Sequence, residues 1–377
     1  MANTISRRLW LQSSAMAAAI LPLSRFYDPE SHDRKYYSRE KLFNKNAIRL
    51  NLNENAYGPS EAARKAIMDS LVEANRYPRQ FITELKNEIA KKEGLTPDHV
   101  MVTAGSTELL GLAGLYYGLK GGELLACHPT FDFLMVYAER MGCNWARTPL
   151  DENHQYDLNA LSNLTGANTK LIFICNPNNP TGVEIPYNQL KSFCEEYASK
   201  YPVYMDEAYL ELSPNGRSSS MSGLISSFPK LIVGRTFSKV YGLAGMRIGY
   251  ALAQPDVIKG LSDMHTGRSL TLSAPAGAAA LACLGDPEFE NFSRTKIIEG
   301  RDMVAKAFDQ WGVKYLPSAA NFIFFKNEKF GTDPVAALAK EDIFLRTYDY
   351  TPGWTRVSIG TVEEMKQFVD AAGKYIV

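Results

Sequence analysis

Short apolar runs and longer stretches of helical period take turns along this chain from residue 47 onward. The runs 100–103, 123–127, 170–175, 203–206, 231–234 and 247–253 are brief and rich in β-branched and aromatic residues, which predicts strands. Between most of them, apolar positions recur three and four apart, and 107–119, 131–141 and 187–200 read as helices. Parallel strands need long crossovers, and helical crossovers cover the sheet. The alternation therefore predicts an α/β fold with a mostly parallel sheet between helices. After Ser273 the order changes. Two helical stretches, 274–284 and 288–311, precede strands at 321–326, 344–346 and 355–359 and a final helix at 362–375. This is a smaller α+β unit. The segment 47–75 is expected to pack with it, because the large sheet begins only near residue 100. The expected division is a leader and linker at 1–40, an N-terminal segment at 41–75, a large domain at 76–272 and a small domain at 273–377.

Composition narrows the function more than the fold. Of 377 residues, 45% are apolar and 22% charged, the balance of a folded globular chain, which excludes disorder, collagen and coiled coil. Lys plus Arg and Asp plus Glu are both 41, so no basic footprint points to nucleic acid. No apolar run reaches the roughly 18 residues of a membrane span. Five cysteines, none in a C-x-x-C pair, and five scattered histidines point to neither a disulfide scaffold nor a zinc site, and no metal is expected.

The first residues carry a different signal. Ser6-Arg7-Arg8 is followed by Leu9, Trp10 and Leu11 and a weakly apolar stretch to Leu23, with no acidic residue before Asp28. This resembles a bacterial twin-arginine export signal and predicts a periplasmic protein; otherwise the protein is cytoplasmic. Ala17–Ala19 is the best small-residue cluster, but no A-x-A precedes residue 27, so cleavage and an uncleaved anchor both stand open.

Candidate chemistry collects at one edge of the expected sheet. Asn176-Pro177-Asn178-Asn179-Pro180-Thr181-Gly182 follows one strand, Asp206-Glu207-Ala208-Tyr209 ends the next, and Ser238-Lys239 follows a third. Gly242 to Gly249, with Arg247 inside, comes after. In an open parallel sheet, ligands bind at the carboxyl ends of the strands, where all these motifs fall. Ala104-Gly105-Ser106-Thr107-Glu108 opens a helix, whose free amides suit a phosphate; a simple helix cap reads the same way. Asn179 sits in turn chemistry in either case.

Together with Leu52-Asn53-Glu54-Asn55, Asn75-Arg76-Tyr77-Pro78 and Arg235-Thr236-Phe237-Ser238-Lys239, these motifs resemble those of the fold-type I pyridoxal-phosphate (PLP) aminotransferases, most of all the histidinol-phosphate aminotransferases. The resemblance covers about residues 47–377. It implies a seven-stranded, mostly parallel sheet in a large domain, a smaller α+β domain, PLP as cofactor, and transfer of an amino group between an amino acid or amino-alcohol phosphate and a 2-oxo acid.

The resemblance also assigns roles. Lys239 forms the Schiff base and moves the substrate's proton, a task suited to a partly desolvated amine beside cations. Asp206 faces the pyridine nitrogen and keeps it protonated. Tyr209 and Asn179 bond the ring oxygen, and Phe131 stacks on the ring unless it is simply core. Ser106, Thr107, Thr236, Ser238 and Arg247 hold the phosphate, Arg247 through its two-pronged fork. Tyr77 reaches the phosphate of the other subunit, which implies a homodimer with shared sites. Arg356 binds the substrate carboxylate, Arg346 a substrate phosphate, and Asn321 and Tyr57 line the substrate pocket.

Three departures stand out: Ala56 where the family has Pro, Thr107 where it has Asp, and a shortened stretch between Arg346 and Arg356 that reads TYDYTPGWT. The last borders the side-chain pocket and favours an aromatic or amphipathic substrate over histidinol phosphate. A decarboxylase resembling threonine-phosphate decarboxylase, or a protein that keeps PLP without turnover, would share most of these motifs.

Overall fold

The computed structural model describes residues 37, 44–265 and 270–377. In chain order, β1 (Ile48–Arg49) leads to α1 (Glu61–Ser70) and α2 (Arg79–Glu93). Then come β2 (Val100–Thr103), α3 (Ser106–Gly118), β3 (Glu123–His128), α4 (Phe133–Arg140), β4 (Asn144–Pro149), α5 (Leu158–Asn163) and β5 (Thr169–Cys175). These are followed by α6 (Tyr187–Tyr197), β6 (Val203–Asp206), β7 (Leu231–Thr236), β8 (Gly249–Ala253) and α7 (Pro255–Asp263). The last third holds α8 (Ala274–Leu284), α9 (Pro287–Trp311), β9 (Phe322–Lys326), α10 (Pro334–Leu338), β10 (Ile343–Phe344), β11 (Arg346–Thr347), β12 (Trp354–Ser358) and α11 (Val362–Gly373).

Seven strands form one sheet in the order β2-β8-β7-β6-β5-β3-β4. β8 runs antiparallel to both neighbours, and the remaining pairings are parallel. The central strands are buried along their length, as continuous apolar runs in a helix-covered sheet should be. Leu171, Phe173, Tyr204 and Ile232 are wholly enclosed against Leu109, Leu110 and Leu134 of α3 and α4. Each such apolar side chain contributes about 1.5–3 kcal/mol by leaving water. The helix ends are written in the sequence. α2 stops at Gly94, whose left-handed φ of 69° lets its N–H cap the carbonyls of Ala90 and Lys91. α11 starts with a reciprocal Thr361–Glu364 capping box.

A second sheet, β11-β12-β9, is antiparallel. The N-terminal strand β1 pairs in parallel with β10, and Ser358 N–H then bonds the carbonyl of Leu50 at 2.9 Å. This threads residues 50–55 along the end of β12 toward the large sheet's carboxyl edge. Most expected strands are present, with three differences. β4 carries the polar alternation of a half-exposed edge and has too few apolar residues to stand out. The strand expected at 247–253 begins at Gly249, because Arg247 sits in a left-handed turn at φ 54°. The strand expected at 344–346 is two: Phe344 pairs with β1 and Arg346 with β12, so the chain passes between sheets at Leu345. The helix expected from residue 131 begins at Phe133. The proposed leader lies outside the described residues. Among the described residues no helix is long and apolar enough to cross a membrane.

Candidate active site

The carboxyl ends of β5, β6 and β7 lie side by side, with Cys175 paired to Asp206 and Asp206 to Gly234. Asp206 is therefore fixed by two neighbouring strands before its side chain is considered. It is 3% exposed, and its Oδ1 accepts the Ala208 N–H at 3.1 Å. Burial pushes its carboxyl up from 3.8 to about 7, against the hydrogen bond from Ala208 and the attraction of Lys239. Lys239 is half-buried, and its Nζ donates to the Asn53 carbonyl at 3.0 Å. Burial first, and the Arg356 guanidinium second, pull its ammonium down from 10.5 to about 8. An acid raised and a base lowered toward each other within one site give both groups access to either protonation state near neutrality.

Tyr209 is buried, its ring edge-on to Phe322 with centroids 5.3 Å apart, and Lys239 Nζ lies 5.3 Å from the Tyr209 ring centre. Its hydroxyl accepts from Asn53 Nδ2 at 3.0 Å, and burial holds the phenol protonated well above its ordinary range.

The phosphate-binding candidates lie at the start of α3 and at the end of β7 and just after it, on either side of Arg247. Gly105 takes φ 82°, and a Cβ there would lie 2.4 Å from Nη2 of Arg247, so only glycine lets the arginine lie over the start of α3. Arg247 Nη2 reaches Thr107 Oγ1 at 3.4 Å, and Nη1 donates to the Ala244 carbonyl. No carboxylate pairs with Arg247 among the described residues, and the Asp-to-Thr departure at 107 leaves its charge free for an anion. Thr236 donates to Ser238 Oγ at 2.9 Å and accepts the Ser238 N–H at 3.1 Å, which sets the rotamer of Ser238. The loop closes on itself through Glu108, which accepts the Ala104 N–H at 2.6 Å and the Thr271 hydroxyl at 3.0 Å. Arg247 is exposed in the single chain, and Ser106 and Thr107 are half-buried.

On the other side, one face of the small sheet supplies the cations. Arg346 lies directly across from Arg356, and Phe324 is opposite Arg356 on the third strand. Arg356 is 5% exposed. Its Nη1 donates to Asn179 Oδ1 at 2.8 Å and to the Tyr348 hydroxyl at 2.5 Å, and its Nη2 to the Asn51 carbonyl at 2.6 Å, while Nε is buried without a partner. Asn321 donates to the carbonyls of Asn53 and Glu54, and its Oδ1 is likewise buried and unpartnered. Tyr348 stacks on Tyr350, which meets His128, and Trp354 stacks on Phe324.

The structure thus gathers Lys239, Asp206, Tyr209, Asn179, Asn321, Arg356 and Arg346 in one region and Ser106, Thr107, Thr236, Ser238 and Arg247 at its rim. Phe131 is half-buried two residues before α4, parallel to Phe133 at 6.3 Å. The Tyr57 hydroxyl accepts the Val362 N–H at the start of α11 at 3.0 Å, and its ring meets Phe292 edge-on. Tyr77 is 77% exposed in the single chain. Sequence reasoning missed Asn53 and Tyr348 as site residues; an asparagine able to hold positive φ inside the quoted Leu52–Asn55 motif was the available signal for the first.

Beneath the strand ends lies a buried charge network. Arg235 of β7, 1% exposed, donates to Glu207, Glu93 and Ser220. Arg217 binds Glu93, Glu211 and Glu290. Ser220 and Ser222 donate to Glu207 and Glu93, which accounts for the serine run at 218–222.

PLP fits these residues: an arginine packed onto a bare glycine for the phosphate, a buried carboxyl for the ring nitrogen, and a lowered amine for the aldehyde. Residues 45–371 match the family model described as aminotransferase class I and II. The chain is 34% identical to a histidinol-phosphate aminotransferase of Anaeromyxobacter sp. (strain Fw109-5), over 88% of this chain and 91% of that protein. It is 33% identical to an aromatic amino acid aminotransferase of Mycolicibacterium vanbaalenii, over 91% of this chain and 96% of that protein. The crystal structure of histidinol-phosphate aminotransferase from Sinorhizobium meliloti in complex with pyridoxal-5'-phosphate superposes with a TM-score of 0.80 at 25% identity, covering 99% of this chain and 98% of that one. Motif order, fold and local chemistry agree over this length, and the chain belongs to the class I and II aminotransferases, PLP-dependent enzymes that pass an amino group between an amino donor and a 2-oxo acid.

Proposed function

We propose that the preferred amino donor is a 2-amino acid with an aromatic or amphipathic side chain, bound by Arg356 and flanked by Tyr348, Tyr350 and Trp354. The observation that carries this is the Tyr348 hydroxyl on Arg356 Nη1 at 2.5 Å, which brings an aromatic ring to the edge of the carboxylate site. An aromatic substrate then gains ring contacts worth about 0.5–1.5 kcal/mol beyond area burial. The 33% identity to an aromatic amino acid aminotransferase supports the same substrate class.

When bound, PLP supplies an electron-withdrawing ring that accepts the charge left by a departing α-proton. The chain does the rest. Arg356 fixes the substrate carboxylate and so aims Cα–H. Lys239 would take the proton from Cα and deliver it to the cofactor's C4′, the shift that moves the amino group off the donor. Asp206 holds a proton at the pyridine nitrogen. Tyr209 and Asn179 donate to the ring oxygen, and the rim from Ser106 to Arg247 anchors the phosphate. Decarboxylation on this scaffold has less support.

A second reading has its own observation. Arg346 and Arg356 sit directly opposite across two strands, so two guanidinium-bearing residues stand together at the substrate side of the site. A doubly charged phosphate such as that of histidinol phosphate is the kind of anion two arginines suit. The two readings separate in a spectral titration of the PLP-loaded protein with aromatic amino acids and with histidinol phosphate, followed by product analysis. Conversion to the pyridoxamine form by phenylalanine or tyrosine at lower concentration than by histidinol phosphate is expected, and the reverse order would overturn the aromatic reading.

We further infer a homodimer in which Tyr77 reaches the partner's phosphate site. Met68, Leu71 and Val72 are exposed on the same stretch as Tyr77, and Arg247 is exposed in the single chain. Arg7 and Arg8 with the apolar residues after them support export by the twin-arginine route. All five cysteines are buried and unpaired, so this fold needs no oxidising compartment and can load PLP before export. Changing both arginines to lysine should leave the protein in the cytoplasmic fraction; unchanged fractionation would exclude this route.

A further inference from the structure

Asn53 is 1% exposed and holds φ 54°, a left-handed conformation that asparagine tolerates better than most residues. Its polar atoms are engaged on several elements. Its N–H donates to Ser358 Oγ, and the Ser358 hydroxyl donates back to Asn53 Oδ1, both at 2.8 Å. The Ser358 oxygen has one proton to give, and it goes to Oδ1. This closed exchange decides which way the amide faces: Oδ1 toward β12, Nδ2 toward Tyr209. An amide nitrogen only donates, so the Tyr209 hydroxyl 3.0 Å away accepts. Meanwhile the Asn53 carbonyl, turned by the positive φ, accepts both Lys239 Nζ and Asn321 Nδ2 at 3.0 Å.

We propose that Asn53 is a positioning residue: its amide occupies the acceptor side of the Tyr209 hydroxyl, so the tyrosine's own proton is left to donate to the cofactor's ring oxygen, while its carbonyl holds the Lys239 amine. The inference rests on Tyr209 facing that oxygen. A hydroxyl that accepts a hydrogen bond donates more strongly, so Asn53 also strengthens the Tyr209 donation. A weaker donation leaves the ring oxygen more negative. It then keeps the proton shared with the lysine-bound nitrogen longer, and the pH midpoint of the visible band of the bound cofactor rises.

The test is the pH titration of that band in PLP-loaded Asn53→Gly, Asn53→Asp, Tyr209→Phe and the double variant Asn53→Asp/Tyr209→Phe. Glycine keeps the left-handed backbone and the carbonyl, so the fold is spared, and thermal melting of each loaded variant checks this. Asn53→Asp offers only acceptors and turns the Tyr209 proton away from the cofactor. The expected result is a rise of about one unit in both Asn53→Asp and Tyr209→Phe, a smaller rise in Asn53→Gly, and no further rise in the double variant. PLP dissociation constants should rise about tenfold in step. A Tyr209→Phe shift with none in either Asn53 variant would overturn the proposal and leave the Tyr209 reading standing. A full Asn53→Asp shift persisting on top of Tyr209→Phe would mean the added charge acts alone, and would also overturn it. No shift in Tyr209→Phe itself would remove the ring-oxygen reading together with the proposal.

Discussion

Asp206 and Lys239 show how the site trades stability for chemistry. The Asp206 value of about 7 lies above its ordinary 3.8, so between these limits the folded chain holds a proton that the unfolded chain has released. Its cost to the fold therefore grows as pH rises through that window and is complete above it. Lys239 at about 8 lies below its ordinary 10.5, so its cost is complete below pH 8 and fades as pH climbs toward 10.5. Both costs meet near neutrality in the cofactor-free protein, offset in part by the attraction between the two groups. Asp206→Asn removes one of them, and its side-chain oxygen can still accept from Ala208. Cofactor-free Asp206→Asn should gain roughly 2 kcal/mol at pH 8 and almost nothing near pH 4, read by urea unfolding at the two pH values, while its PLP affinity falls. An equal change at both pH values would show that the carboxyl is not the strained group. Residues of this kind were legible in the sequence because the chemistry demands one residue type at one strand end. Asn53 was not. Its role depends on a backbone turn and on Ser358, 305 positions away, and only the folded chain brings these together.

Elements place the residues, and the strand ends are braced from below. β6 ends in Asp206-Glu207 and β7 in Arg235-Thr236, so the Arg235–Glu207 pair at 2.9 Å ties together the two strands that carry the catalytic candidates. Glu93 at the end of α2 completes the pairing at 2.6 Å. Arg235→Met would leave Glu207 buried without its cation and Glu93 with Arg217 alone, and should cost about 3–5 kcal/mol, whereas Ser220→Ala should cost only about 1 kcal/mol. Denaturant unfolding of the PLP-loaded protein measures both, and a near-neutral Arg235→Met would show that water replaces the guanidinium. The serine loop that supplies Ser220 and Ser222 reads as mere polar linker in sequence, because serine is at home in any exposed turn. The central strands were legible because both faces are buried and their apolar runs are unbroken. β4 alternates like a surface segment, and the break at Leu345 leaves no polar or glycine signal, since Ile343, Phe344 and Leu345 are all buried.

At the scale of the molecule, the candidate phosphate site of one chain is open to solvent at Arg247. Arg247 is exposed and Tyr77 projects 77% of its surface. Met68 and Val72, at 66% and 82% exposure, are costly to leave in water, and a second copy docking there would cover them. In the proposed dimer each site takes Lys239 from one chain and Tyr77 from the other. This has an arithmetic consequence. Tyr77→Ala spoils the site of the partner, and Lys239→Ala spoils the site of its own chain. In a mixed dimer both lesions therefore fall on one site and leave the other native. Equal amounts of the two variants, exchanged at random, give mixed dimers as half of the total, each with one good site, so about one quarter of all sites recover. The measurement is turnover at limiting PLP after co-refolding, compared with each variant alone. Recovery near one quarter supports the shared site. Activity no higher than the average of the two variants would mean that Tyr77 serves its own chain or none, and that the apolar stretch from Met68 to Val72 is covered by something else.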